Sequence, residues 1–380
     1  MISCEAIGLI LSVLAGNAAA QQTPRSNPAA ELVSIAIRGP VQPVLAHGKF
    51  ILAYEVDVMN VATRSAALTR LEAFAGDGSA LLTYGKADLE RNGRQFVPKV
   101  AALRLPLQAA ARAIIFCWIE APAGARPSAL RHRLTYSILP GKEQAVEVAT
   151  PVVDASPVVL GPPVTSGEWW AVNGPSNSSE HRRAQVRIDG NPDAPFAQRY
   201  AIDWVRLCDG RWMQNQGREN TDYCGYGADV LAVADAWVAA VKDTIPENKP
   251  GENSRSVQMT KETLLGNYVI LDLGEQKYAV YAHLQQGSIQ VKPGTQVRRG
   301  QVLARLGNSG NSDAPHLHFH VAQGPSIESI VSVQTNPIPY VIDRFEWRGV
   351  YRGKGAAAAK ASVIRSLEIP LDGDIVRFLP

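Results

Sequence analysis

From Glu31 to about Ile138 the apolar residues come in short alternating runs separated by turn residues. Phe50–Val61 opens as an apolar stretch and passes into alternation, Ala67–Phe74 follows, and Gly76-Asp77-Gly78 turns the chain. Ala113–Ile119 and Leu130–Tyr136 repeat the theme. Several short strands between turn signals predict an all-β sandwich of immunoglobulin-domain size, an immunoglobulin-like domain over 31–145. Residues 146–180 shift to Pro, Val, Gly and Ser, and Pro157, Pro162, Pro163 and Pro175 interrupt any element, so this stretch reads as a linker with Trp169-Trp170 as an anchor. A second β-rich domain is expected over 181–345, followed by an extension over 346–380.

In that second domain Ala184–Ile188, a turn at Gly190-Asn191-Pro192-Asp193, and Gln198–Val205 predict an antiparallel hairpin. Its register places His181 opposite Asp203. The alanine-rich run Val230–Val241 fits a strand or a helix, and residues 243–262 read as a long exposed loop. Asn267–Leu273 and Lys277–Leu284 form a hairpin across Gly274-Glu275-Gln276, and Val291–Leu303 a compact β-turn-β unit. Beyond Ile338, Phe345–Tyr351 and Ile375–Phe378 are candidate strands, with Ala356–Lys360 a loop insertion.

The chemistry gathers in Pro315-His316-Leu317-His318-Phe319-His320-Val321. Side chains of a strand alternate between faces, so His316, His318 and His320 share one side while Leu317, Phe319 and Val321 pack on the other. The chain holds seven histidines, and three of them within five residues point to a site rather than to a chance polar face. Neutral imidazole binds Zn(II) readily. Asp203, hemmed in by Ala201, Ile202, Trp204 and Val205, needs a cationic partner, and a metal is one. His47 and His132 stand singly and read as surface or locally satisfied residues rather than ligands.

Tyr281-Ala282-His283-Leu284, the Val291–Leu303 unit, Gly307-Asn308-Ser309-Gly310 and Pro315-His316-Leu317-His318-Phe319 together resemble the catalytic domain of the lysostaphin/LytM-type zinc metallopeptidases. The match runs from about Ala201 to Val321. The resemblance implies an antiparallel-β zinc peptidase domain, with Asp203 and His318 as metal ligands and His316 and His283 as catalytic residues that handle the water and the developing oxyanion. The family's remaining ligand is a His four residues before that Asp, where this chain has Arg199, and a cation cannot ligate zinc. His181 is the other candidate in this part of the chain, so the implied metal set is His181, Asp203 and His318. His320 stands where the family usually carries Glu. Exported members cut peptide cross-links of bacterial peptidoglycan, so the expected activity is a zinc metalloendopeptidase acting on that substrate. The alternative is a catalytically silent member that binds and regulates a wall hydrolase. A biotinyl or lipoyl carrier would need a modifiable Lys at the hairpin tip, and Gly307-Asn308-Ser309-Gly310 has none.

Composition bounds the rest. At 380 residues two domains are expected, and a net charge of +3 with scattered Lys and Arg gives no footprint for nucleic acid. Gly8–Gly16 is a short apolar run followed by Ala18-Ala19-Ala20, the pattern of a signal peptide over 1–20, although Glu5 rather than Lys or Arg precedes it. That run is too short to span a bilayer, and a secreted or periplasmic location follows. In an oxidising compartment Cys208 and Cys224 are placed to form a local disulfide, leaving Cys117 over. The front domain carries no candidate chemistry and is expected to deliver substrate, dock a protein partner or cover the cleft.

Overall fold

The structure, a computed structural model, describes residues 32–96, 103–124, 126–183, 193–251, 255–351 and 356–379. The expected signal peptide, the strand Ala184–Ile188 and the turn at Gly190-Asn191-Pro192 lie outside them. The chain is mostly β, and its sheets are almost wholly antiparallel.

In chain order the front half comprises β1 (Val33–Arg38), β2 (Val44–Ala46), β3 (Lys49–Asn60), β4 (Ala67–Ala75), β5 (Ala80–Gly85), the short helix α1 (Lys86–Asn92), β6 (Gly93–Gln95), β7 (Arg112–Pro122), β8 (Ala129–Leu139) and β9 (Lys142–Pro151). They form two sheets. One has the order β1-β3-β7-β6 with β2 beside β3, and the other β5-β4-β8-β9. Leu52, Tyr54, Val56 and Val58 of β3, with Ile115, Cys117 and Ile119 of β7, meet Leu71 and Leu134 of the facing sheet in one apolar core.

The alternation of β3 explains why its text is apolar nearly throughout. Even-numbered residues fill the sandwich core, while Ile51 and Ala53, on the opposite face, join the core of the rest of the chain. β7 does the same, with Ile114 and Phe116 packing against Phe196. The sandwich is therefore fused to the second half of the chain through the outer face of its own central strands. Glu55 stands on that face and is 0% exposed.

The second half continues with β10 (Val158–Leu160), β11 (Gly167–Val172), β12 (Ile202–Leu207), β13 (Asp229–Leu231), β14 (Ala236–Lys242), β15 (Asn267–Asp272), β16 (Lys277–Leu284), β17 (Gln296–Val297), β18 (Val302–Arg305), β19 (Leu317–Gln323), β20 (Asn336–Pro337), β21 (Tyr340–Tyr351), β22 (Ala356–Glu368) and β23 (Asp374–Phe378). A large sheet runs β10-β21-β23-β11-β12-β19-β16-β15-β14-β17, and β13 pairs with β18. The hairpin across Gly274 and the β-turn-β unit fall where the pattern put them.

Several expectations are corrected. The stretch read as a linker supplies β10 and β11, because Trp169 and Ala171 carry a buried face despite the surrounding prolines. Ala356–Lys360 belongs to β22 rather than to a loop, with Ala356 opposite Tyr351 and Ala358 opposite Gly349. The alanine-rich run resolves into β13 and β14, separated by a bend. Asp203 has Val172 and His318 as its strand neighbours, so the hairpin register expected to set His181 opposite Asp203 is not what brings them together.

His132 in β8 is buried and shares a 2.8 Å hydrogen bond between its Nε2 and the Tyr54 hydroxyl. Burial pushes its pKa down to about 4, so protonation favours the unfolded chain. The stability this residue contributes is present above pH ~6.5 and is lost as pH falls toward ~4, by roughly 3 kcal/mol at about 1.4 kcal/mol per pH unit. Urea denaturation of the parent and of His132→Asn at pH 7.5 and pH 4 should show the difference shifting by about that amount in the variant's favour on acidification. An unchanged difference would contradict a neutral buried imidazole.

Candidate metal centre

The centre is assembled by sheet register. β19 lies between β12 and β16, with Asp203 directly opposite His318 on one side and Ala282 opposite His318 on the other. Leu317, Phe319 and Val321 fill the core, which fixes the histidines on the opposite face. His316 immediately precedes the strand, and His283 lies near the end of β16 with φ of 63°. Its backbone amide donates to Leu265 O at 2.9 Å.

His181 comes from a helical turn at Glu180–Arg183. Its Nδ1 lies 3.0 Å from the Asn173 carbonyl oxygen, which makes Nδ1 the protonated nitrogen and turns Nε2 toward the strands. His181 Nε2 is 3.2 Å from Asp203 Oδ1 and 3.2 Å from His318 Nδ1, and His318 Nδ1 is 3.0 Å from Asp203 Oδ1. Among the described residues these three form a group able to hold a metal ion. Zinc with nitrogen and oxygen ligands at about 2.0–2.1 Å in a tetrahedron separates them by about 3.3 Å, so the donor set fits a zinc ion. Three such atoms at this spacing repel one another unless a proton or a cation sits among them. Asn173 does double duty, since its Nδ2 donates to Asp203 Oδ2 at 3.0 Å.

The other histidines surround this triangle. His320 Nδ1 is 2.9 Å from His318 Nε2, on the side of the ring away from Asp203, so His320 orients the His318 imidazole from behind. His316 Nδ1 is 2.8 Å from Ala314 O, and its Nε2 is 3.4 Å from Asp203 Oδ1. His283 Nδ1 is 2.8 Å from Ser309 O, and the His283 and His316 ring centres are 4.8 Å apart. The Gly307–Ser312 loop that holds both rings is packed without slack. A Cβ on Gly310 would fall 2.3 Å from the Gly266 nitrogen, so this glycine is required by close backbone approach. The Ser309 hydroxyl donates to Leu284 O at 2.8 Å and accepts from the Asn267 amide at 2.9 Å.

Burial and charge divide these groups. Burial pushes His318 down to about 4, against the pull of Asp203. Burial also holds His283 well below the usual histidine range, helped by His316 and His318. For His181 and His316 burial acts downward too, but the Asp203 carboxylate outweighs it and raises both. Burial alone would raise Asp203, yet His181 and His316 hold it well below the usual carboxylate range. The carboxylate therefore stays ionised, the form that ligates a metal.

The triangle lines a cleft of about 520 Å³ whose walls include Trp170, Trp212, Leu264 and Asp313. Trp170 stacks on Tyr351 at 4.1 Å. Cys208, one residue beyond β12, is joined to Cys224 in a disulfide, and Cys117 is free and buried. Arg199 is not part of the cluster. It is 3% exposed and pairs with Glu55 of β3. The sequence pattern points to His181, Asp203, His283, His316 and His318, and the structure brings all five together. It gives little sign of Asn173, whose only signal is an Asn-Gly-Pro turn, or of Glu55, which lies far away in the chain.

Residues 221–329 match the profile of Peptidase family M23, and the chain carries a domain of that family. A 56-residue segment is 41% identical to peptidoglycan DD-endopeptidase ShyA of Vibrio cholerae, covering 15% of this chain and 13% of that protein. A 69-residue segment is 35% identical to peptidoglycan DD-endopeptidase ShyB of the same organism, covering 18% and 16%. The chain thus aligns with less than a fifth of the length of these curated relatives. The catalytic domain of lysostaphin from Staphylococcus simulans is 17% identical, over 45% of this chain and 88% of that one, with a TM-score of 0.25. Among the described residues no helix is long and apolar enough to cross a membrane.

If the triangle is the metal centre, the purified chain should carry about one zinc, and His181→Ala, Asp203→Ala and His318→Ala should each lose it to a competing chelator. His283→Ala should keep it. Stoichiometric zinc in His181→Ala, read by elemental analysis, would remove that residue from the ligand set.

Proposed function

We propose that this chain is a zinc-dependent endopeptidase that hydrolyses peptide cross-links of bacterial peptidoglycan outside the cytoplasm. The observation that carries the reading is the triangle of His181 Nε2, Asp203 Oδ1 and His318 Nδ1, with edges of 3.0–3.2 Å, flanked in one cleft by His316 and His283. The substrate class comes from the peptidoglycan endopeptidases that share segments with the chain. A bound zinc ion would polarise the scissile carbonyl and lower the pKa of a water molecule in the site.

The remaining work falls to the protein's own side chains. His316 and His283 each have Nδ1 committed to a backbone carbonyl, which leaves Nε2 as the reacting nitrogen. One Nε2 takes the proton of the attacking water and passes it to the leaving amine, while the other donates to the developing oxyanion. Asp203 keeps its second oxygen on Asn173, so it cannot swing toward the substrate. Trp170 and Trp212 give the cleft apolar surface beside the metal triangle. The silent-member alternative rests on Arg199, and His181 within 3.2 Å of both other donors is what favours the active reading over it.

Digestion of purified peptidoglycan should release new muropeptides, and a chelator should abolish the release. His283→Ala should slow it by about 10²–10⁴-fold with zinc content unchanged. Release that ignores the chelator would contradict zinc chemistry, and a zinc-loaded chain that releases nothing would favour the silent member.

A further inference from the structure

The third donor, His181, belongs to a segment that the sheet itself does not hold. Residues 177–183 lie between β11 and β12; Ser179 and His181 reach the Asn173 carbonyl just beyond β11, and the two arginines that follow His181 are anchored on the front sandwich. Arg182, next to His181, is 0% exposed. Its Nε donates to Glu55 Oε1 at 2.7 Å, its Nη2 to Tyr54 O at 2.6 Å and Cys117 O at 3.0 Å, and its Nη1 to Asn177 Oδ1 at 2.8 Å. Arg183 donates to Asn177 O at 2.8 Å and to Arg91 O at 3.2 Å. Both guanidinium groups lie over the Phe116 ring, at 5.3 and 5.2 Å from its centre. Asn177 in turn donates to Phe116 O at 3.1 Å and to Asn92 Oδ1 at 3.0 Å.

Glu55 is the carboxylate that Arg182 and Arg199 share. It accepts from Arg182 on one side and from Arg199, three residues beyond Phe196 and four before Asp203, on the other. The next carboxylate on the same face of β3, Asp57, is held by Arg38 and Arg112 of the sandwich itself. Glu55 differs in that both of its cations come from the part of the chain that builds the metal centre. One precedes β12 from the His181 turn, and the other leads directly into it.

We propose that Glu55 is a positioning residue of the metal centre: from the front sandwich it clamps Arg182 and Arg199, and thereby holds His181 within ligating distance of Asp203 and His318. The front sandwich then supports the site from behind without lining the cleft, and Arg199, where the resembled family places a ligand, is the anchor that lets His181 supply that ligand from elsewhere. A planar guanidinium with several fixed donors suits this task, since Arg182 binds one carboxylate and two carbonyls from different strands at once. Neutralising Glu55 leaves two buried cations facing each other, which pushes the His181 turn away from β12. This role for Glu55 rests on the zinc reading of the triangle.

The test is zinc affinity of the full-length folded chain, measured by competition with a chromophoric chelator, beside thermal unfolding of the metal-free chain. Glu55→Gln should bind zinc about 10–100-fold more weakly, the usual loss when a supporting partner of a metal ligand is removed. Leu130→Ala, in the sandwich core with Ala75 and Thr150 as its strand partners, should lower the unfolding temperature while leaving the affinity of the folded chain unchanged. If Glu55→Gln does not fold, Arg182→Lys replaces it, keeping the charge but losing the fork, and should show the same weakening. Glu55→Gln or Arg182→Lys with parental zinc affinity overturns the positioning role. A parent that binds no zinc overturns the metal reading itself, which separates the two failures.

Discussion

A fully buried carboxylate between two buried guanidinium groups governs how this molecule is put together. Glu55 lies on the outer face of β3, which is apolar on both sides, and it has no route to solvent. Burial would raise its pKa, but Arg199 and Arg182 overcome that and keep it ionised. Removing one member of such a buried set costs about 3–5 kcal/mol, because the others are left as uncompensated charge. That penalty makes the junction between the sandwich and the large sheet specific in geometry. An apolar contact such as Ile114 and Phe116 against Phe196 could slide, whereas a forked ion pair cannot.

From that junction the path to the site is short. Arg182 fixes the turn that presents His181, and Arg199 fixes the approach to β12 and Asp203. β12 is locked in register with β19, which presents His318 opposite Asp203. On the far side β16 and the Ser309 loop place His283 and, through Ala314, His316. The cluster thus draws on four separate segments, each held by backbone register or by carbonyl contacts rather than by its neighbours in the cluster.

The sequence is most informative where a pattern is local. Alternation in 315–321 assigns the faces of β19, and the Gly274 turn marks the β15–β16 hairpin, because both depend on residues close in the chain. It is least informative where non-local burial decides. Trp169 and Ala171 make a strand out of proline-rich text, and Ala356–Lys360 becomes strand because β21 offers an edge to pair with. His181 is legible as a candidate ligand, but the hairpin that suggests it does not set its place. Beyond its bond to the Asn173 carbonyl, its support is an ion pair between the neighbouring Arg182 and a residue 127 positions away, which leaves no local trace.

The central claim is that His181 completes a three-donor metal centre. Anomalous diffraction at the zinc absorption edge from crystals of the zinc-loaded full-length chain tests it most directly. One peak is expected within bonding distance of His181 Nε2, Asp203 Oδ1 and His318 Nδ1. A peak bound by Asp203 and His318 with His181 turned away, or a peak elsewhere in the cleft, would contradict it.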